Sequence, residues 1–183
     1  MQDYITTYTK KHFTIMEPEM ADIDINDIAH ALSLMTRANG HFSQFYSVGQ
    51  HSVGCAYEAL ERGYSARVVL GCLLHDGSEA YMADITRPLK QHMSAYLVAE
   101  EKLQNMIFEK FLGQCPSEEE MAQIKSVDDA MLFHEFKCFM NEELDIPEHE
   151  ILTRPAFSTK PFEDVEEDFL LMFHKIGRAS CRE

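Results

Sequence analysis

The segment Ala66–Leu74 (ARVVLGCLL) is apolar on nearly every side of a helical wheel. A helix of that kind has no polar face to offer water, so it must run through the middle of a packed bundle. The expected helix, from Ser65 to about Tyr81, carries His75-Asp76 at the end of its apolar run. Aspartate is rarely found in such surroundings without a partner or a metal ion. The most hydrophobic stretch of the chain therefore delivers two chemically capable side chains to the interior.

Other helices follow from the same periodicity. Ile25, Ile28, Leu32 and Met35 predict a helix over 24–36 with Asp24 as its N-cap. Further helices are expected at about 47–62, 92–112, 117–142 and 163–175, with a capping box at Ser117 and Glu120. Asn39-Gly40 marks a turn, and Asp84–Pro88 reads as a loop because Pro88 disfavours helix at Arg87. Tyr4–Thr9 is rich in β-branched and aromatic residues, which predicts a short strand or hairpin. No repeat or linker divides the chain. The expected fold is all-α: an extended or hairpin segment over 1–23, one helical domain over 24–175, and a tail over 176–183. Ile176-Gly-Arg-Ala-Ser-Cys-Arg-Glu183 resembles one reading frame of a common sequencing adapter, so it is expected to be non-native and to hold no site.

The 183 residues carry 16 Lys plus Arg against 31 Asp plus Glu, a formal charge of −15. That balance argues against a surface that coats nucleic acid, which needs clustered cations. It leaves room for a small anionic substrate, because a bound cation can reverse the field within one pocket. No apolar run is long enough to span a bilayer, and the N-terminus lacks the apolar core of a signal peptide. Five scattered cysteines without a CxxC pair read as free thiols. A cytoplasmic protein is expected, with Cys55, Cys72 and Cys138 as small buried hydrophobes.

His51, in the helix before the apolar one, and an aspartate of the Asp128-Asp129 pair can join His75-Asp76 from neighbouring helices. Imidazole nitrogen with carboxylate oxygen suits Mn, Co, Fe, Ni or Zn, with Mg as a harder alternative. Glu79 lies three residues past Asp76 and four past His75, on one face if the helix continues. A carboxylate there could orient or deprotonate a water. Among the remaining histidines, His30 and His41 are candidates to line a pocket, and His92, His134, His149 and His174 are expected at the surface.

These residues sit in a recognisable frame: Asp27-Ile-Ala-His-Ala-Leu-Ser, Arg37 with Asn39-Gly-His, Tyr46-Ser-Val-Gly-Gln-His-Ser, His75-Asp-Gly-Ser-Glu-Ala-Tyr, Asp84-Ile-Thr-Arg-Pro-Leu-Lys, and Lys125 to Glu135. From about Ile5 to Phe173 the chain resembles the HD-domain phosphohydrolases, in the branch of bacterial and phage 5′-deoxynucleotidases. The resemblance implies a helical HD domain and one divalent metal on His51, His75, Asp76 and Asp128, with Asp128 preferred over Asp129. It implies Asp84 as a second acidic residue beside Glu79, and Arg37 as a contact to substrate phosphate. Lys90 and His41 are the further phosphate-side candidates; solvated side chains are the alternative for Arg37, Lys90 and Arg87. The resemblance departs at Ala38, where the deoxynucleotidases carry a bulky aromatic that helps select the deoxy sugar.

The leading expectation is a nucleotide phosphohydrolase, most simply a 5′-nucleotidase on (deoxy)nucleoside monophosphates. Alternatives keep the metal site but take a nucleoside triphosphate, an alarmone or another phosphoester, or keep the bundle as a binding module without turnover. The expected partner is a small nucleotide, with no nucleic-acid polymer and no membrane; the resemblance also admits a homodimer. Metal-dependent phosphate release separates the enzymes from the module.

Overall fold

The structure, a computed structural model, describes residues 3–146 and 150–180, with side chains as far as 177. His149 and Cys181 lie outside the described residues. The fold is all-α apart from an N-terminal hairpin of β1 (Ile5–Thr6) and β2 (His12–Phe13), paired antiparallel with Ile5 opposite Phe13. The helices are α1 (Ile25–Leu34), α2 (Val48–Glu61), α3 (Ala66–Leu74), α4 (Glu79–Met82), α5 (Arg87–Lys90), α6 (Ser94–Leu112), α7 (Glu118–Met140) and α8 (Phe162–Ser180). A 3-10 turn spans Arg37–Gly40.

The all-apolar helix takes the place its composition requires. α3 packs against α2, α6, α7 and α8, and every residue from Val68 to Leu74 is buried. Local signals fix where helices start. The side chains of Asp24, Ser47 and Ser65 accept from the backbone N–H of Asn26, Gln50 and Val68, and Ser117 with Glu120 closes the capping box. Each such cap is worth about 1 kcal/mol. Gly49 lets α2 lie on α1: a Cβ there would stand 3.0 Å from the backbone nitrogen of Ser33.

Several boundaries differ from the sequence expectation. The helix expected to run to Tyr81 stops at Leu74 and restarts as α4. Arg87–Lys90 is a short helix, because Pro88 falls in its first turn, where the missing N–H is harmless. α8 continues past 175 to Ser180. Ile176 is buried in the core, extending the stripe Val165, Phe169 and Met172 by one turn. Cys55 and Cys72 are buried as expected, but Cys138 is exposed, on the outer face of α7. Among the described residues, no helix is long and apolar enough to cross a membrane.

After α7 the chain returns across α2, and a single carboxylate anchors it. Glu58 is fully buried and accepts from the backbone N–H of Leu152 and Thr153, the Thr153 hydroxyl (2.7 Å) and Arg62 Nε (2.9 Å). Burial alone would raise its pKa, but the donors on Thr153, Leu152 and Arg62 lower it below the usual carboxylate range. Stability from this group is therefore present above the ordinary carboxylate pKa and lost as pH falls through the depressed folded value. Glu58→Ala should cost about 3 kcal/mol by stranding buried donors and Arg62. In thermal unfolding near neutral pH that is a fall in Tm of about 10 °C; an unchanged Tm would show that the anchor carries no stability.

Candidate metal centre

Three elements bring the candidate ligands together. His51 lies in the first turns of α2, His75 and Asp76 follow the last turn of α3, and Asp128 lies midway along α7. An antiparallel bridge between Thr36 and Ser47 ties the 3-10 turn to the start of α2, with Arg37 N–H donating to the Tyr46 carbonyl at 2.9 Å. This tie holds Arg37 beside His51.

The donor atoms converge. His51 Nε2 lies 3.3 Å from His75 Nε2, 3.2 Å from Asp128 Oδ1 and 3.9 Å from Asp76 Oδ2. His75 Nε2 lies 3.3 Å from Asp76 Oδ2 and 3.6 Å from Asp128 Oδ1. Donors about 2.1 Å from a shared ion stand roughly 3.0 Å apart at right angles and roughly 3.4 Å apart in a tetrahedron. The observed spacings are close to that. Both imidazoles are oriented from behind: His51 Nδ1 faces Glu135 Oε1 at 2.7 Å, and His75 Nδ1 faces the Cys72 carbonyl at 2.7 Å. Each Nδ1 faces an acceptor, which suits it to keep its proton while Nε2 exchanges its own for an ion at the common centre.

The acids around the centre draw positive charge to it. Burial opposes a charged imidazole at His51 and His75, as Arg37 does at His51. The surrounding acids, Glu135 and Asp128 for one and Asp76 and Asp128 for the other, still raise both above the ordinary range. Asp128 is pulled well below it: burial works the other way, but hydrogen bonds from both histidines prevail. A divalent ion would supply the same positive charge, and the residues fit one.

His51, Cys55 and His75 form a group whose donor atoms all lie within 4.8 Å of one another and which could hold a metal ion. Cys55, one turn beyond His51, is the weaker donor. Its Sγ is 3.4 Å from His51 Nε2 and 4.0 Å from Nδ1, which puts it off the Nε2 lone-pair axis. Burial also pushes the thiol up to about 11.

Around the centre stand the acid–base and phosphate candidates. Glu79 is only 5% exposed, and its Oε2 is buried with no hydrogen-bond partner among the described residues. Burial, then Asp76 and Asp84, hold Glu79 well above the usual carboxylate range. Asp84 is half-buried and raised as well, first by burial and then, against Arg37, by Asp76. Arg37 is buried, so it is no solvated helix end; it reaches Asp76 Oδ2 at 3.3 Å and Glu135 Oε2 at 3.4 Å. Burial disfavours its charge, but Glu135, Asp76 and Asp128 hold it firmly protonated. Lys90 Nζ is 3.7 Å from Glu79 Oε1 and 2.6 Å from Glu100 Oε1.

Neither histidine pocket candidate hydrogen-bonds to the ligand set among the described residues. His41 is exposed, with no side-chain hydrogen bond among the described residues, and His30 pairs with Glu166 of α8 at 2.9 Å and stacks on Tyr8. His92 and His174 are exposed as expected, while His134 is half-buried. Ala38 adopts a left-handed backbone (φ 50°, ψ 35°) and packs against the aromatic cluster of Phe42, Tyr46 and Phe139.

Two residues take roles that the sequence did not give them. Glu135 is fully buried and joins His51 to Arg37; its signal is its position two turns past Asp128 on the same helix. Arg87 donates to Asp128 Oδ2 at 2.9 Å while Oδ1 faces the histidines, and also reaches Asp129, which turns away to pair with Lys125. Such an outer partner orients a ligating carboxylate. Arg87→Ala should weaken Mn(II) or Co(II) affinity about tenfold; unchanged affinity in a calorimetric titration would remove that role.

No family model matches the chain. Over 108 residues it is 41% identical to YfdR, an uncharacterized protein of Escherichia coli strain K12, in a match covering 59% of this chain and 58% of YfdR. Over 106 residues it is 30% identical to RCAP_rcc00048, an uncharacterized protein of Rhodobacter capsulatus, covering 55% of this chain and 54% of that protein. The matches thus span just over half the length of these curated relatives, and neither name carries an activity.

Proposed function

We propose that the chain is a divalent-metal-dependent phosphohydrolase of the HD superfamily, acting on a nucleotide and most simply a 5′-nucleotidase on (deoxy)nucleoside monophosphates. The observation that carries this reading is the convergence of His51 Nε2, His75 Nε2, Asp76 Oδ2 and Asp128 Oδ1, with both Nδ1 atoms facing acceptors behind. That donor set suits one Mn, Co, Fe, Ni or Zn ion, with Mg as a harder alternative. A divalent ion held there would polarise a phosphoryl oxygen and make a water a stronger nucleophile.

The chain's own residues supply the rest. Arg37 contacts its two carboxylates at 3.3 and 3.4 Å, longer than tight charge-assisted bonds, so its fork can share charge with a phosphate. Lys90 adds a second cation beside Glu79. Glu79 and Asp84 are suited to hold and pass a proton, because burial and the neighbouring Asp76 raise both above the usual carboxylate range.

The test is phosphate release from ribo- and deoxynucleoside mono- and triphosphates by metal-stripped protein resupplied with Mn, Co, Fe, Ni, Zn or Mg. Release from monophosphates that depends on the ion is the expected result, and the ribo-to-deoxy ratio reads the effect of Ala38. Turnover of triphosphates alone would replace the substrate class; an ion bound without turnover of any of them would overturn the enzyme reading. The His51–Cys55–His75 group favours one second reading, a site that holds a thiophilic ion without hydrolysis. In that case Cys55→Ala would abolish Zn(II) uptake, whereas the leading reading keeps it.

A further inference from the structure

The break between α3 and α4 falls at the His75-Asp76 pair, and its cause lies on another helix. In a continuous α-helix the N–H of Ser78 would donate to the carbonyl of Leu74. Instead the side-chain amide of Gln104, on α6, stands between them. Its Nε2 donates to Leu74 O at 2.8 Å, and its Oε1 accepts from Ser78 N–H at 3.0 Å. The backbone meanwhile closes three-residue turns: Gly77 N–H to Leu74 O at 2.9 Å, Glu79 N–H to Asp76 O at 3.0 Å and Tyr81 N–H to Ser78 O at 3.1 Å. Gly77 permits the close approach of α6, since a Cβ there would stand 2.9 Å from Leu74 O and 3.3 Å from the Ile107 side chain.

This tighter winding changes which side chains meet. Residues three apart are about 300° apart around an α-helix but about 360° apart in a 3-10 turn, so they eclipse. Glu79 is thus brought over Asp76, and away from His75. In the continuous helix expected from the sequence the two carboxylates would share a face but lie about 60° apart around the axis.

We infer that Gln104 is a positioning residue: by replacing one helical hydrogen bond with its own amide, it winds residues 75–79 tightly and sets Glu79 over Asp76. The inference rests on the proposed function only for its kinetic consequence; the backbone effect stands by itself. Gln104 also lines the cavity of about 500 Å³ beside the centre, together with His75, Asp76, Glu79 and Lys90, so a change there reaches the wall of that cavity directly.

Gln104→Met keeps the bulk and removes both amide bonds. Leu74 O, which already accepts from Gly77 N–H, is then the helical acceptor open to Ser78 N–H, and the helix closes through the gap. The first measurement is backbone NMR of the metal-free full chain, where a through-hydrogen-bond coupling from Ser78 N to Leu74 C′ should appear in the variant and be absent from the parent. The second is Co(II) titration with visible spectra, alongside steady-state phosphate release. All four ligands remain in the variant, so Co(II) affinity should change by less than about threefold while kcat falls at least about tenfold at nearly unchanged KM. Gln104→Glu, which keeps the acceptor for Ser78 and loses the donor to Leu74, should fall between the two proteins. Unchanged turns, by the absence of that coupling in Gln104→Met, would overturn the inference. If the parent binds no Co(II) and releases no phosphate, the proposed function fails, and the NMR result still decides for or against Gln104.

Discussion

Asp76→Ala should lose metal uptake and phosphate release together. Asp76 Oδ2 lies 3.3 Å from His75 Nε2, 3.9 Å from His51 Nε2 and 3.3 Å from Arg37. Its removal takes away a candidate ligand and also one of the two carboxylates that hold the buried guanidinium. The remaining set has Asp128 as its sole candidate carboxylate, so the balance between ion and proton at the histidines shifts towards the proton. We expect kcat/KM to fall by about four orders of magnitude or more, ~5.5 kcal/mol of transition-state stabilisation. Elemental analysis after dialysis should find no stoichiometric ion. A variant that keeps both its ion and its rate would remove Asp76 from the centre.

Glu79→Gln separates binding from chemistry. The substitution preserves shape in a position only 5% exposed and leaves every candidate ligand in place, and Lys90 retains Glu100 at 2.6 Å. The ion should therefore remain, while the rate falls about 10²- to 10⁴-fold, the range for losing a general acid or base. The same fall in Asp84→Asn with a mild effect of Glu79→Gln would assign the proton to Asp84. If neither changes the rate, the proton work lies elsewhere.

Much of this was legible in the sequence because it is local. The caps at Asp24, Ser47, Ser65 and Ser117 sit within three residues of the N–H groups they serve, and α3 announces its place by having no polar side. The set His51, His75-Asp76 and Asp128 came from the resemblance, and it is one that neighbouring helices of a bundle can point inward at one place. What escaped depends on distant partners. The end of α3 is set by Gln104, thirty residues past Leu74 in sequence, and the roles of Glu135 and Arg87 depend on what faces them from other helices. The stripe Val165, Phe169, Met172, Ile176 was visible, and ending it at 175 gave too much weight to the unusual composition of the tail.

The position of α8 has a consequence for how the chain comes off the ribosome. α8 covers α1, α2 and α3 at once, burying Val165, Phe169, Met172 and Ile176. Until it emerges from the exit tunnel, the central helices lack one wall, and the apolar surface they expose is what chaperones bind and aggregates grow from. α1, α2 and α3 are made before α8 and must therefore wait, loosely gathered, for it.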